Sequence, residues 1–404
     1  MFRVTMNSAV PRLPFVIVGV AALVAGVLLA VYSVRQDREF QRLIAAGDAA
    51  LAGDRTFEAI EAFSGALTLK RESMLAYLKR GDAYRRQGEL TAALRDLRQA
   101  AALDPAAPRA AELLGDVNVG MERYERAAEH YRAFIALDDR APRVYYKLAL
   151  TYYRNGQASM AVEPLRQAVA IDARFAEAHY LLALCLRERE QDAEALASLN
   201  RAVDVSPAFA AAREELADIH FAAGRNQQAI QQLEALAALE PSRPERLVGV
   251  GLAYARLGRT DAAILTLGRA AERYPDAPAV YTALGRVWLE AAERRSDRVA
   301  LSKAVEALQP STAGSGASSE ALMLYGRALY LSGQYGAAER ALQQAVARRP
   351  VEPLAFRYLA DSSERVGHAA AAHDALTRYV ALADEDELDP GTPARLARLE
   401  RRSR

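Results

Sequence analysis

Tyrosines and arginines stand together at Arg85-Arg86, Tyr145-Tyr146 and Tyr152-Tyr153-Arg154, with Tyr180 and Arg187 further on. A phenol beside a guanidinium can grip a peptide backbone or a carboxylate, through a broad flat contact and a planar fork of donors. Adjacent helical residues point about 100° apart, so both members of a doublet cannot serve one core. If Tyr152 packs inside, Tyr153 turns away from it, and Tyr146, two helical turns earlier, shares its face. The alternative is that these tyrosines pack laterally between helices with only their hydroxyls wet. Other chemistry has little support. Cys185 is the single cysteine, which excludes an intramolecular disulfide and a cysteine-based zinc site. It lies among Leu181, Leu182, Leu184 and Leu186 and reads as a packed thiol, not a nucleophile. His130, His179, His220, His368 and His373 form no HExxH pair, and no phosphate loop, nucleophile elbow or triad spacing is present. No enzyme activity, metal or cofactor is expected.

Two features of the chain must position those side chains. The first is Phe15 to Val34, an uncharged run reaching about 30 Å as a helix, one hydrocarbon core. A cleaved signal peptide would have a shorter apolar region and a small-x-small site, which Ala30-Val31-Tyr32 does not supply. Residues 15–34 are therefore expected to be a transmembrane anchor, after a tail at 1–14 and before a linker at 35–39. Basic residues tie across it, Arg3, Arg12 and the terminal amine against Arg35, Arg38 and Arg42. The tail carries no acid, whereas Asp37 and Glu39 dilute the other flank, which favours an exported domain. Ala22, Gly26 and Ala30 make a small-xxx-small ridge that could pair helices. Charge is nearly balanced, with 52 basic and 51 acidic residues in 404, so no global field draws nucleic acid. Only Lys70, Lys79, Lys147 and Lys303 are lysine; this arginine bias, beside so much alanine, reads as GC-rich bacterial coding.

The second feature is internal repetition. Every thirty-fourth residue from position 47 is small: Gly47, Gly81, Gly115, Ala149, Ala183, Ala217, Gly251 and Gly285, then Gly326 and Ala360 after a break. Twelve residues on, a second column reads Ala59, Ala93, Ala127, Ala161, Ala195, Ala229, Ala263, Ala338 and Ala372, broken only by Asp297. Apolar residues between them follow the helical period, with polar turns such as Gln87-Gly88-Glu89. In the unit Met74 to Ala107, Gly81 and Ala93 let two helices approach, Tyr84 and Leu97 fill the space beside them, Ala100 admits the next unit and Pro105 fixes the break. Proline recurs there as Pro207, Pro241, Pro275 and Pro350. The aromatic column holds Tyr84, Tyr152, Tyr254 and Trp288, but Asn118, Leu186 and His220 elsewhere.

This order of small, aromatic, small, large, small and proline resembles the tetratricopeptide repeat over residues 40 to 386. The resemblance implies an all-α fold: a right-handed helical solenoid of about ten helix-turn-helix repeats, here after one N-terminal transmembrane helix. It also implies that the first helix of each unit lines a concave groove for a protein or peptide. Arg85, Arg86, Tyr146, Tyr153, Arg154 and Arg187 are then the partner-binding candidates. Chaperone-binding members hold a C-terminal carboxylate with asparagine and lysine on these helices. The column where that asparagine would fall reads Asp48, Asp82, Asp116, Leu150, Leu184 and Asp218, so that ligand is not expected. Those aspartates, with Asp361, either make the groove acidic or pair with nearby basic residues. The Gly285 to Gly326 interval is seven residues too long, and the surplus is placed in the Gly/Ser-rich stretch 309–319, as a loop or hinge or as a tolerated insertion. After Asp384-Glu385-Asp386-Glu387, a polar helix from about Pro393, within a cap and tail at 387–404, closes the stack.

The expectation for function is a single-pass bacterial inner-membrane scaffold that holds a partner in its groove during envelope assembly, its soluble domain periplasmic. The alternative is a cytoplasm-facing adaptor that recruits or regulates an enzyme such as a protease. One family of bacterial lipopolysaccharide regulators is built so, but ends in a cysteine-rich metal module that this chain lacks. Passive homo-oligomeric assembly is a third possibility.

Overall fold

The coordinates are a computed structural model that describes residues 13–314, 316–383 and 388–403, with side chains from Leu23 onward, Ser403 excepted. The tail with Arg3 and Arg12, the side chains of residues 15–22, and the acidic run 384–387 lie outside the described residues. Twenty-one α-helices and no strand occur among the described residues. The chain divides into two compact units, one ending at Val205 and one starting at Ser206.

The first unit pairs α1 (Leu13–Ala52) with α2 (Thr56–Leu69), α3 (Met74–Gln87) with α4 (Leu90–Leu103), α5 (Pro108–Gly120) with α6 (Tyr124–Leu137), α7 (Pro142–Arg154) with α8 (Ala158–Ile171), and α9 (Ala176–Arg187) with α10 (Asp192–Val205). The second pairs α11 (Ala210–Ala222) with α12 (Asn226–Leu239), α13 (Pro244–Arg256) with α14 (Thr260–Arg273), α15 (Pro278–Arg295) with α16 (Arg298–Leu308), α17 (Ser319–Leu331) with α18 (Tyr335–Val346), and α19 (Pro353–Val366) with α20 (Ala369–Leu382); α21 (Thr392–Ser403) follows. Proline at the first helical position of α5, α7, α13, α15 and α19 gives up a donor that would be unpaired there anyway. The turn inside each pair needs one left-handed residue, supplied by Gly88, Gly156, Gly224, Gly258, Gly333 and Gly367 in six pairs and by Asp54, Glu122, Glu190 and Ser296 in the other four.

The small columns have a direct cause. A Cβ on Gly81 would lie 2.7 Å from Leu97 Cγ, and one on Gly115 2.4 Å from the Tyr131 ring. Gly47 meets Phe63, Gly251 meets Leu267, and Gly326 meets Leu342 in the same way. All nine alanines of the second column are 0% exposed. Each pair thus closes on a large side chain from its second helix, set between glycine or alanine of the first.

Two expectations need correction. The seven surplus residues are not in 309–319. Gly285 faces Leu308, where the regular spacing would bring Leu301, so the surplus lies before Leu308. It lengthens α15 to 18 residues, against 13 in α13, and Ala304, 0% exposed, takes the alanine place assigned to Asp297. Asp297 instead caps α16, accepting from the amides of Val299 and Ala300. The stretch 309–319 replaces the last turn of α16: a 3-10 turn Gln309–Thr312, then a connection to α17 tied down by buried Ser319, which donates to the Ala345 carbonyl at 2.9 Å. Residues 35–39 are not a separate linker but part of α1, where Gln36 donates to the Leu69 carbonyl and Asp37 pairs with Lys70. Ala158 is 6% exposed; it occupies the column of Leu90, whose side chain packs over Gly120 of the next pair.

Among the described residues no helix is long and apolar enough to cross a membrane; the expected span 15–34 lies partly outside them. Leu23, Val24, Val27, Leu28, Leu29, Val31, Tyr32 and Val34 are all exposed. At the other end, α21 covers the last pair with buried Leu399, and Arg395 bridges Asp361 (2.6 Å) and Glu364 (2.8 Å).

Candidate functional site

In the first unit α3 touches α5 and α7 touches α9, so first helices of successive pairs stand side by side and form one face. A pocket of about 390 Å³ opens on it between α1, α3 and α5. Its apolar floor is Leu51, Leu75, Leu78 and Leu113, and Asp48, Lys79, Asp82, Arg86 and Arg109 form its rim. Each lining column recurs two repeat lengths later, so Tyr146 stands in the column of Leu78, Arg154 in that of Arg86, and Tyr153 in that of Arg85.

The candidates are not equally disposed. Arg85 and Arg86 both close on the Asp82 carboxylate, at 2.6 and 3.2 Å. Tyr146 is half-buried and tilts against Phe175, ring centroids 5.1 Å apart. Tyr153 is half-buried too; burial raises its phenol, and the charge of Glu188 and the nearby Cys185 add to the effect. Arg154 and Arg187 are exposed on α7 and α9. Tyr152 is buried, its hydroxyl accepting from Arg132 at 2.9 Å. The structure therefore brings Arg86 into the leucine pocket and Tyr146, Tyr153 and Arg154 onto one helix beside α9.

Most aspartates of the flagged column are paired. Lys79 holds Asp48 at 2.6 Å, and Lys147 bridges Asp116 (2.8 Å) and Glu112 (2.6 Å). Arg109 takes the other Glu112 oxygen at 2.5 Å, and the Tyr131 hydroxyl donates to Asp116 at 2.8 Å. Burial alone would raise the Glu112 carboxyl, but Lys147 and Arg109 outweigh it and hold it below the usual range. Asp218 is exposed. The face is thus a charge-compensated frame around an apolar floor. Such a site suits an apolar side chain whose flanking peptide groups hydrogen-bond to the rim.

Two signals in the chain could have located this pocket. The lysines of the network each stand 31 residues after their aspartate, and Leu75 is an exposed apolar residue on α3.

A family model described as the tetratricopeptide repeat matches residues 112–174, 146–212, 193–244, 214–278 and 249–297, and a second, described as the TPR repeat, matches 81–122. Together they run without a gap from 81 to 297, a little over half of the chain, and the chain belongs to the tetratricopeptide repeat family. No curated protein matches it. Similar solved structures include MamA (24% identity, 40% of this chain and 94% of that one, TM-score 0.39). YrrB, described as a TPR protein with an unusual peptide-binding site, shares 23% identity over 47% of this chain and 97% of its own, TM-score 0.42. The Pseudomonas aeruginosa protein pilF shares 21% over 51% and 94%, TM-score 0.41.

Proposed function

We propose that the chain is a membrane-anchored scaffold that holds a peptide or protein segment on the face made by its first helices. The carrying observation is the pocket between α1, α3 and α5, whose leucine floor is open while the charges around it are matched within the fold. Arg85, Arg86, Tyr146, Tyr153, Arg154 and Arg187 are proposed to extend that contact along the face. Binding of the full chain, but not of a L75E/L78E variant, to the same protein in a pull-down supports this; equal capture by both refutes it.

The anchor rests on the uncharged run 15–34 and on the exposed apolar side chains from Leu23 to Val34, a patch that water alone does not stabilise. The proposal places it in a bacterial inner membrane with the repeats on the periplasmic side, serving envelope assembly. An alkaline phosphatase fusion after Arg404 is active in that orientation and inactive if the repeats face the cytoplasm, as an adaptor recruiting an enzyme would require. Extraction of the chain by alkaline carbonate would refute the anchor.

A further inference from the structure

The irregular helix pair of the second unit carries a feature that the regular pairs lack. α15 starts in register with α13 and α17 but has 18 residues against their 13. At ~1.5 Å per residue its end overshoots theirs by about 7.5 Å. The turn at its end is made by Ser296 at φ 53°, as Asp54, Glu122 and Glu190 make the turns of three regular pairs. The overshooting flank has no counterpart on α17, and a notch of about 360 Å³ opens there, lined by Ala292, Glu293, Ser296, Asp297, Arg298, Leu301 and Leu331. Residues 293–299 are all exposed, Val299 at 70%, and Leu331 at the end of α17 is 41% exposed.

The notch is apolar below and positive above. Both acids that line it are committed within the fold: Glu293 accepts from Arg327 at 2.6 and 2.7 Å, and Asp297 caps α16. Arg294 leans weakly on Glu290 at 3.5 Å. Arg298 lines the notch and Arg295 precedes Ser296 of its lining; neither forms an ion pair among the described residues, so the charge left open beside Leu301 and Leu331 is positive.

We propose that this notch is a second docking site, separate from the pocket of the first unit, for an acidic protein segment bearing a bulky aliphatic side chain. The aliphatic group would fill the hollow over Leu301 and Leu331, and flanking carboxylates would meet Arg295 and Arg298. A concave hollow with charge at its lip suits a peptide better than a lipid surface, which would need a convex apolar tip.

The test uses the full chain in detergent micelles and three fluorescein-labelled twelve-residue synthetic peptides. One carries aspartates and glutamates around two leucines, one is its amide counterpart, and one has its leucines replaced by serine. Anisotropy should show binding of the first, and binding about tenfold weaker for each of the others. The R295E/R298E and L331D variants should lose about as much, with circular dichroism and melting unchanged because all three positions are exposed. A chain whose residues 291–300 are replaced by the Leu-Gly-Arg turn of the preceding pair should fold and lose the site. No binding of the acidic peptide, equal binding of its amide counterpart, or affinity unaltered by R295E/R298E overturns the proposal.

Discussion

Gly115→Ala sets two physical effects against each other. In an unobstructed helix interior this change stabilises by about 1 kcal/mol, because alanine has less backbone freedom to lose. At Gly115 the new methyl would lie 2.4 Å from the Tyr131 ring. That ring is 2% exposed, and its hydroxyl is fixed on Asp116 at 2.8 Å, so it cannot swing away without breaking the bond. Overpacking of this kind costs about 1–3 kcal/mol, and a hydrogen bond to a carboxylate is worth about 1.5–3 kcal/mol. The expected net is a loss of roughly 1–3 kcal/mol, the ring either staying overpacked or giving up its bond to Asp116, which Lys147 still holds. The next repeat indicates the repair: it carries alanine at this place, Ala149, opposite Leu165, and both are 0% exposed. The G115A/Y131L double variant should therefore be more stable than the sum of its parts predicts, by at least about 1 kcal/mol. Gly268→Ala, with nothing within 4 Å of its methyl, is the control that should gain stability. Urea unfolding followed by circular dichroism reads all four. A G115A chain as stable as the wild type, or additive behaviour in the double variant, would refute the close-approach account of the glycine column.

Ala195→Leu, at a position 0% exposed, should lower the urea midpoint far more than Ala49→Leu on the exposed side of α1. Cys185, whose thiol burial pushes up to about 12, should resist a disulfide reagent at about pH 8 in the folded chain and react once guanidinium unfolds it. His130, His179 and His220 are held below the ordinary imidazole range, chiefly by burial. The unfolded chain therefore takes up protons first, so stability should be constant above about pH 6.5 and fall as pH drops towards the folded values. His220→Leu should lessen that fall, and a urea midpoint flat between about pH 7 and 5 would contradict it.

The regular part of this architecture was legible because its cause is local and recurrent. A glycine opposite Leu97 and an alanine at zero exposure leave the same mark every thirty-four residues, and the left-handed turn at Gly88 and Gly258 leaves another. The irregular pair was misplaced because glycine and serine around 309–319 suggested an insertion, whereas the added residues mostly continue α15 and otherwise start α16 early. Only the partner of Gly285 reveals the shift, and that is Leu308 rather than Leu301. The doublets were half legible. A rotation of about 100° between neighbours separates buried Tyr152 from half-buried Tyr153, but nothing in the spacing shows Phe175 against Tyr146 or Asp82 between two arginines. Those contacts depend on how adjacent helices are rotated against each other.

The continuity of α1 has a mechanical consequence. Its 40 residues run without interruption from Leu13 into the first repeat, where Phe40 and Ile44 are already buried. Whatever grips the front of that rod also sets the compass bearing of the face made by the first helices, because torque passes along a helix instead of dissipating in a flexible joint. One residue added between Val34 and Phe40 would turn the grip against the face by about 100° and shift it by about 1.5 Å. Seven added residues would raise it by about 10 Å with the bearing nearly restored.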